Sequence, residues 1–247
     1  MDRPALKKDA KSILNSHFSF YFLLWLPIFI LEAVGGIMYV PDMERSDPFT
    51  MTVNIGFFLT LLASIMTIGV FFISIDAIRQ TLTYENPLQK SFTIFSRGEY
   101  FLGTFLLYIL ISIFTFLWTL LLVIPGIIKA FSYSQAYYIY RDAIDHGEQI
   151  GYLDAITRSR QLMDGHKWEY FVMILSFIGW GLVVLITFGI AAIWVQPYYT
   201  LSFANFYNEL ADQQTVQPTT SVIDAPQQSI DSSDSSSSDD TSDDSKQ

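Results

Sequence analysis

The sequence predicts an all-α integral membrane protein: a six-helix bundle of three hairpins, followed by a disordered acidic C-terminal tail. Apolar residues make up 51% of the chain and charged residues only 15%, whereas a soluble domain carries roughly 25% charged residues. The apolar residues also form long runs without charge, separated by short charged segments, which is typical of membrane spans. The longest such run lies between Glu169 and Glu209 and contains no Asp, Glu, Lys, Arg or His.

This run predicts two helices rather than one. Residues 170–208 number 39, and one helix of that length would extend ~58 Å at about 1.5 Å per residue. The hydrocarbon core of a bilayer is only ~30 Å thick. We therefore predict spans at about 169–187 and 190–208, with a reversal at Phe188-Gly189 because glycine permits a tight turn. Pro197 then lies in the first half of the last span, where neighbouring helices make a kink tolerable.

Four further spans are predicted upstream of this pair. Their ranges are about 18–39, 53–75, 100–124 and 126–141. The fourth, in "GIIKAFSYSQAYYIYR", is shorter and more polar than the others. Because it is rich in tyrosine and carries Lys129, the alternative is a helix lying flat at the membrane interface.

The two ends of the chain differ from the membrane domain at 18–210. Residues 1–17 predict a cytoplasmic amphipathic helix, which either lies on the membrane surface or acts as a plain basic anchor. Its apolar face comprises Leu6, Ala10, Ile13 and Leu14. Residues 211–247 are rich in Ser and Asp and predict a disordered cytoplasmic tail, because such a composition buries too little apolar surface to fold.

The distribution of lysine and arginine predicts that both termini are cytoplasmic. Of the 14 Lys and Arg residues, eleven fall in segments that this orientation places inside, and a twelfth, Lys246, lies in the tail. The outside loops receive only Arg45, and Lys129 lies near the outer membrane edge. Because basic residues in short loops prefer the cytoplasm, the asymmetry supports six spans with this orientation.

The second and third hairpins share short matches in the same order. Each opens with Glu-Tyr-Phe, at 99–101 and at 169–171, and each is predicted to turn at a glycine, Gly126 or Gly189. Each return helix then carries a similar tetrad, at 135–138 and 196–199. These matches favour a duplicated hairpin, which is common in transporters but also occurs in membrane proteins without a transport role.

The stretch "SRQLMDGHKWEYFVMILSFIGWGLVVLITFGIAAIWVQPYYTLSFANFYNEL" resembles the C-terminal half of bacterial multi-pass membrane proteins of domain-of-unknown-function family 975. The N-terminal "DAKSILNSHF" is similar to the basic amphipathic opening of that family. The resemblance covers most of residues 1–210 and is most specific over 159–207. It implies a multi-pass protein of a bacterial plasma membrane, and it implies no activity and no functional residues.

A carboxylate inside the first predicted span marks the strongest candidate for intramembrane chemistry. Glu32 lies in "PIFILEAVGG", where a charged group costs ~2.5–3.5 kcal/mol on insertion scales. Lys129 enters from the same side at a depth that permits an ion pair. The pair is either a cargo or proton site or a structural ion pair; alternatively, the two side chains extend separately to the interface.

A second candidate lies in the basic segment before the fifth span. Arg158, Arg160 and Lys167 in "RSRQLMDGHKW" either contact anionic lipid headgroups from an interfacial helix or act as a plain positive-inside anchor. The lipid bilayer is the predicted partner, and the sequence identifies no protein partner.

Several kinds of site are excluded or disfavoured by composition. The chain has no cysteine, which excludes disulfides, cysteine metal sites and thiol catalysis. Only Asp142 and His146 have a helical ligand spacing, and two ligands do not close a zinc site, so we predict no metal and no cofactor. The formal net charge of −10 argues against a nucleic-acid partner, since phosphate contacts need clustered basic residues.

These observations predict a non-enzymatic accessory or structural component of the membrane, because no catalytic motif is present. A small transporter or export factor is the alternative, and a lipid-acting intramembrane enzyme is a third. A continuous polar cavity containing Glu32 and Tyr137 would favour transport. A packed apolar bundle with its polar groups gathered at one face would favour the accessory role.

Overall fold

The computed structural model describes residues 2–38 and 55–216, and this part of the chain is helical, without a strand. Its helices are α1 (Arg3–Ser16), α2 (Phe18–Met38), α3 (Ile55–Ile78), α4 (Pro87–Lys90), α5 (Gly98–Leu121), α6 (Val123–Tyr133), α7 (Ala136–Asp145), α8 (Tyr152–Leu162), α9 (Lys167–Ile186) and α10 (Ala192–Val216). A short 3-10 turn lies at Thr93–Phe95. The all-α prediction is confirmed for these residues, whereas the predicted tail lies largely outside them.

Four helices, α2, α3, α5 and α9, are long and apolar enough to cross a membrane. Of the most apolar stretch of each helix, 56% is buried in α3 but only 11% in α5 and 17% in α9. The central helix is therefore α3, which packs against α2 and α10. Because α5 and α9 present apolar side chains outward, their outer faces suit contact with lipid rather than water.

The N-terminal helix α1 packs on the bundle instead of lying on a membrane surface with its apolar face. Leu6, Ala10 and Leu14 are buried in the main core, and α1 lies along α10. The Asn205 amide of α10 donates a hydrogen bond of 3.2 Å to the Leu6 carbonyl. The apolar face that one of the two alternatives placed on the membrane is thus occupied by α10, a partner that the sequence of α1 alone does not reveal. The cytoplasmic location of residues 1–17 stays a prediction.

The predicted reversal at Phe188-Gly189 is confirmed. The chain forms two helices, α9 and α10, and both residues of the turn have positive φ, 50° and 89°. The rings of Trp180 and Trp194 lie 5.0 Å apart between centroids, so the two helices pack back on each other. Pro197 lies inside α10 as predicted, but α10 continues to Val216, beyond the predicted end at 208.

The fourth predicted segment, 126–141, is not one helix. It forms α6 and α7, with a break at Ser134 and Gln135. The two pieces together return along the whole of α5. Near the tip, a Cβ at Gly126 would clash with the Thr119 hydroxyl, and at the other end Tyr140 fills the space beside Gly103.

Helix α8 fills the break between α6 and α7. The buried Ser159 hydroxyl donates to the Ser132 carbonyl at 2.8 Å and accepts from the Gln135 N–H at 3.2 Å. Ala155 and Ile156 of the same helix are buried in a small core formed with α5 and α7. Because a broken helix leaves backbone groups without partners, Ser159 stabilises this arrangement by satisfying two of them.

Candidate functional site

Charged side chains from three helices and their flanking residues gather at one end of the bundle. We call this group the arginine–aspartate cluster, and it comprises Asp76, Arg79, Arg97, Arg141, Asp142 and Asp145. Three arginines face three aspartates, so the formal charges cancel. The cluster therefore joins the end of α3, the start of α5 and the second half of α7 by ion pairs.

Arg141 of α7 is the centre of the cluster. Its side chain is only 10% exposed and forms ion pairs with Asp76 and, through Nε at 3.0 Å, with Asp145. One guanidinium nitrogen also donates to the Phe72 carbonyl of α3 at 2.8 Å. A nearly buried arginine is tolerated only when it is paired and hydrogen-bonded in this way, so Arg141 fixes α7 against α3.

Arg79, just after α3, ties the cluster to α10. Its guanidinium forms a two-pronged contact with Asp142 at 2.9 and 2.8 Å, and its Nε donates to the Asn208 side chain at 3.0 Å. The Tyr207 hydroxyl donates to the same Asp142 carboxylate at 2.8 Å. Hydrogen bonding to Asp142 raises the pKa of Arg79. Paired carboxylates of this kind are poor general bases because their lone pairs are already engaged.

An open cavity of about 370 Å³ lies beside the cluster, between α7, α8 and α10. Its lining includes Asp142, His146, Glu148, Arg158 and Tyr207. Glu148 and Arg158 form an exposed ion pair across it, and Arg158 lowers the pKa of the Glu148 carboxyl. The polar groups of this cavity are therefore largely paired with one another.

The structure does not bring Glu32 and Lys129 together. Glu32 is exposed near the end of α2, and no ion pair joins it to Lys129 within residues 2–38 and 55–216. The Lys129 ammonium lies 4.7 Å from the centroid of the Trp118 ring instead. The reason is helix adjacency, since α6 packs against α5 whereas α2 packs against α3.

The three predicted headgroup contacts lie on two sides of α8. Arg158 faces the first cavity and pairs with Glu148. Arg160 and Lys167 line a different cavity, which they share with Lys129. The sequence placed Lys129 near the opposite membrane edge from these two residues, so the structure differs from that expectation.

Sequence reasoning missed both the arginine–aspartate cluster and the role of Ser159. The positive-inside count considered basic residues alone, although Asp76, Asp142 and Asp145 lie at the same helix ends as the arginines. Matching acidic with basic residues at these ends would have suggested the cluster. No local signal marks Ser159, because its role depends on α8 lying against a break in another helix.

In a comparison with known families, residues 119–214 match the model described as "Protein of unknown function (DUF975)". The matched residues run from the end of α5 through most of α10 and include α8 and α9. Comparisons with curated proteins and with solved structures give no match.

Proposed function

We propose that this chain, whose residues 119–214 belong to domain-of-unknown-function family 975, is a non-enzymatic accessory component of a bacterial plasma membrane. Four helices suited to crossing a bilayer support the membrane location. The family resemblance supports the bacterial plasma membrane. The accessory role rests on how polar and apolar groups are distributed over the bundle.

Three hairpins form the proposed membrane domain, and each leaves from and returns to the cytoplasmic face. They are α2 with α3, α5 with α6 and α7, and α9 with α10. The arginines of the cluster support this threading, because Arg79, Arg97 and Arg141 come from different segments and meet at one end. Basic residues concentrate on the cytoplasmic side, so this end is proposed to face the cytoplasm, together with both termini.

The observation that favours an accessory role over transport is the location of the cavities. Three of the open cavities in the described part of the chain lie near the loops and helix ends, and neither Glu32 nor Tyr137 lines any of these three. Tyr21, Leu24 and Met66 belong to an apolar core that runs between α2, α3 and α10. A packed centre with polar groups gathered at one end suits a protein that presents a cytoplasmic surface.

Cysteine accessibility tests the threading, because the natural chain contains no cysteine. We expect Glu85→Cys and Gln149→Cys to react with a membrane-impermeant maleimide only in inverted vesicles. We expect Phe188→Cys, which is 98% exposed in the α9–α10 turn, to react only in intact cells. The reverse pattern at either kind of position would overturn the orientation.

Complementation of a deletion strain tests the role. We expect Glu32→Gln and Tyr137→Phe to restore the wild-type phenotype at normal protein abundance, since neither group lines any of these three cavities. Arg141→Gln should fail, because it disrupts the cluster end of the bundle. If Glu32→Gln abolishes complementation while the protein remains abundant and folded, transport replaces the accessory role as the better proposal.

A further inference from the structure

Lys129, Arg160 and Lys167 line one cavity of about 280 Å³ between α6, α8 and the start of α9. Its lining also includes Thr157, Gln161, Asp164 and Ser132. Three cations against one carboxylate give the cavity a formal charge of +2. It is thus the opposite of the arginine–aspartate cluster, in which the charges cancel.

The positive charge of this cavity is poorly neutralised by the protein. Lys167 pairs with Asp164 at 3.5 Å, but the Asp164 side chain is 83% exposed, and an exposed pair of this kind contributes little. Among the described residues, neither Lys129 nor Arg160 forms an ion pair. Thr157 and Gln161 add a hydroxyl and an amide, so the lining suits an oxygen-rich anion.

Exposed apolar residues lie next to two of the cations in the chain. Ile127 and Ile128 directly precede Lys129 on α6 and are 48% and 45% exposed. Trp168, next to Lys167, is 69% exposed and packs against Phe171. Tryptophan with such exposure is enriched where hydrocarbon meets the headgroups. A ligand that carries both a negative headgroup and an apolar chain matches both surfaces.

We propose that this cavity binds the phosphate group of an anionic phospholipid of the cytoplasmic leaflet, with an acyl chain along Ile127 and Ile128. Lys129, Arg160 and Lys167 supply the charge, while Arg158 takes no part because Glu148 already engages it. The inference rests on the proposed membrane location. The apolar surface favours a lipid over free phosphate, since free phosphate gains nothing from it.

Native mass spectrometry of the purified full-length chain tests this site with added phosphatidylglycerol, phosphatidylcholine and inorganic phosphate. We expect preferential binding of phosphatidylglycerol, and a loss of affinity of about tenfold or more in the triple variant Lys129→Gln, Arg160→Gln, Lys167→Gln. Arg158→Gln also removes one charge from α8, but its affinity for phosphatidylglycerol should stay within about twofold of the wild-type value.

Equal binding of phosphatidylcholine, or an unchanged triple variant, would overturn the site. Displacement of the lipid by inorganic phosphate would overturn the choice of a lipid as ligand. The single variant Lys129→Gln repeats the test if the triple variant fails to fold, with weaker phosphatidylglycerol binding expected and unchanged binding contradicting the site. Failure here with the cysteine labelling pattern intact removes this site and leaves the proposed threading standing.

A different observation, the length of α6, leads to a second inference. Helix α6 has 11 residues, about 16 Å, and its end lies against α8 through the contact between Ser159 and the Ser132 carbonyl. Measured along the membrane normal, the tip of the α5–α6 hairpin therefore cannot lie much more than about 16 Å deeper in the bilayer than α8. A complete crossing requires ~30 Å.

The charged residues of α8 determine where this helix lies relative to the membrane surface. Asp154, Arg158 and Arg160 are all exposed, and exposed charges are expensive within hydrocarbon. We infer that α8 lies at the cytoplasmic interface and that the α5–α6 tip ends inside the bilayer, as a re-entrant hairpin. Helix α5 has 24 residues, enough to cross by length, but in this arrangement only its second half lies within the bilayer. Residues 121–124 are exposed and apolar, which suits a tip surrounded by lipid. The arginines of the cluster stay cytoplasmic, because the hairpin enters and leaves on one face.

Labelling at the two hairpin tips tests this depth. We expect Leu122→Cys to resist an impermeant maleimide from both sides of the membrane and to react after SDS denaturation. Phe188→Cys, at the tip of the 20-residue helix α9, is the matched control and should react from outside. Reaction of Leu122→Cys from outside in intact cells would show a full crossing and overturn the inference.

Discussion

The two hairpins that share sequence motifs, α5 with α6–α7 and α9 with α10, use those motifs differently. In the first hairpin, Tyr100 donates a hydrogen bond to Asp145. In the second, the corresponding Tyr170 packs edge-on against Phe203 and Phe206. One hairpin is thus closed by charge and the other by aromatic rings, so similar sequence does not imply similar interactions.

The glycines predicted to turn the two hairpins also differ. Gly189 has φ of 89° and lies in the α9–α10 turn, as expected. Gly126 lies inside α6 beside Thr119, and the turn of this hairpin is at Leu122, where the backbone is extended. The expected turn at Gly126 is therefore corrected: this glycine permits close helix approach, because any Cβ would meet the backbone of α5.

The return helices provide a third contrast. The tetrad at 135–138 begins at the break between α6 and α7, whereas the tetrad at 196–199 lies inside the continuous helix α10. The first return helix is stabilised by Ser159 and contributes Arg141, Asp142 and Asp145 to the arginine–aspartate cluster. The second is continuous and contacts the cluster only through hydrogen bonds of Tyr207 and Asn208. Four predictions test this difference, beginning with the largest expected effect.

Arg141→Ala should destabilise the protein most, because it leaves Asp76 and Asp145 without their main partner. For a nearly buried ion pair the expected loss is about 3–5 kcal/mol, measured by SDS-induced unfolding of the purified protein. Arg158→Ala is the control, since its ion pair is exposed and should contribute little to stability. Equal effects of the two substitutions would contradict the central role of Arg141.

Ser159→Ala should destabilise the first return helix by leaving the Gln135 N–H and the Ser132 carbonyl without partners. The expected loss is about 1–3 kcal/mol, by the same unfolding measurement. Ser202 is the matched control, because it is fully buried in α10 but its hydroxyl has no hydrogen-bond partner among residues 2–38 and 55–216. Ser202→Ala should therefore be neutral or slightly stabilising, and a loss as large as that of Ser159→Ala would contradict the role of Ser159.

Gly126→Ala should separate α6 from α5, because the added Cβ would lie 2.8 Å from the Thr119 Cα. The added methyl group overpacks the contact, whereas alanine has the better helix propensity. We therefore expect the free energy of unfolding to fall by about 1–2 kcal/mol. Gly179→Ala, in the interior of α9 with open space around it, should be neutral or stabilising. If both substitutions stabilise the protein, the inferred close packing of α6 on α5 at Gly126 is wrong.

The smallest expected effect is the loss of the ion pair between Glu148 and Arg158 on acidification. The folded-state pKa of Glu148 is below its ordinary value of 4.5, so its contribution is complete above that pH and disappears as pH falls through the lower folded value. The difference in unfolding midpoint between wild type and Glu148→Gln should therefore be small at pH 7 and should decrease further as the pH falls below 4.5. If the difference grows on acidification, the pKa of Glu148 is not lowered in the folded state.

Much of the fold was accessible from the sequence, but little of the candidate site was. The reversal at Phe188-Gly189 followed from comparing a helix length with a bilayer thickness, which needs no tertiary information. The arginines at the helix ends were counted correctly, yet their partners were not identified. An ion pair such as that of Arg141 with Asp76 depends on which helices become neighbours, and charge counts do not contain that information.

The sequence by itself determined that most of this chain is apolar helix and where its last hairpin reverses, because hydrophobicity and glycine turns act locally. Only the tertiary structure decided that α1 packs on α10, that α8 enters the break between α6 and α7, and that Lys129 lines a cavity with Arg160 instead of pairing with Glu32. These contacts join residues distant in the chain, and their geometry follows from packing of whole helices, which no single segment encodes.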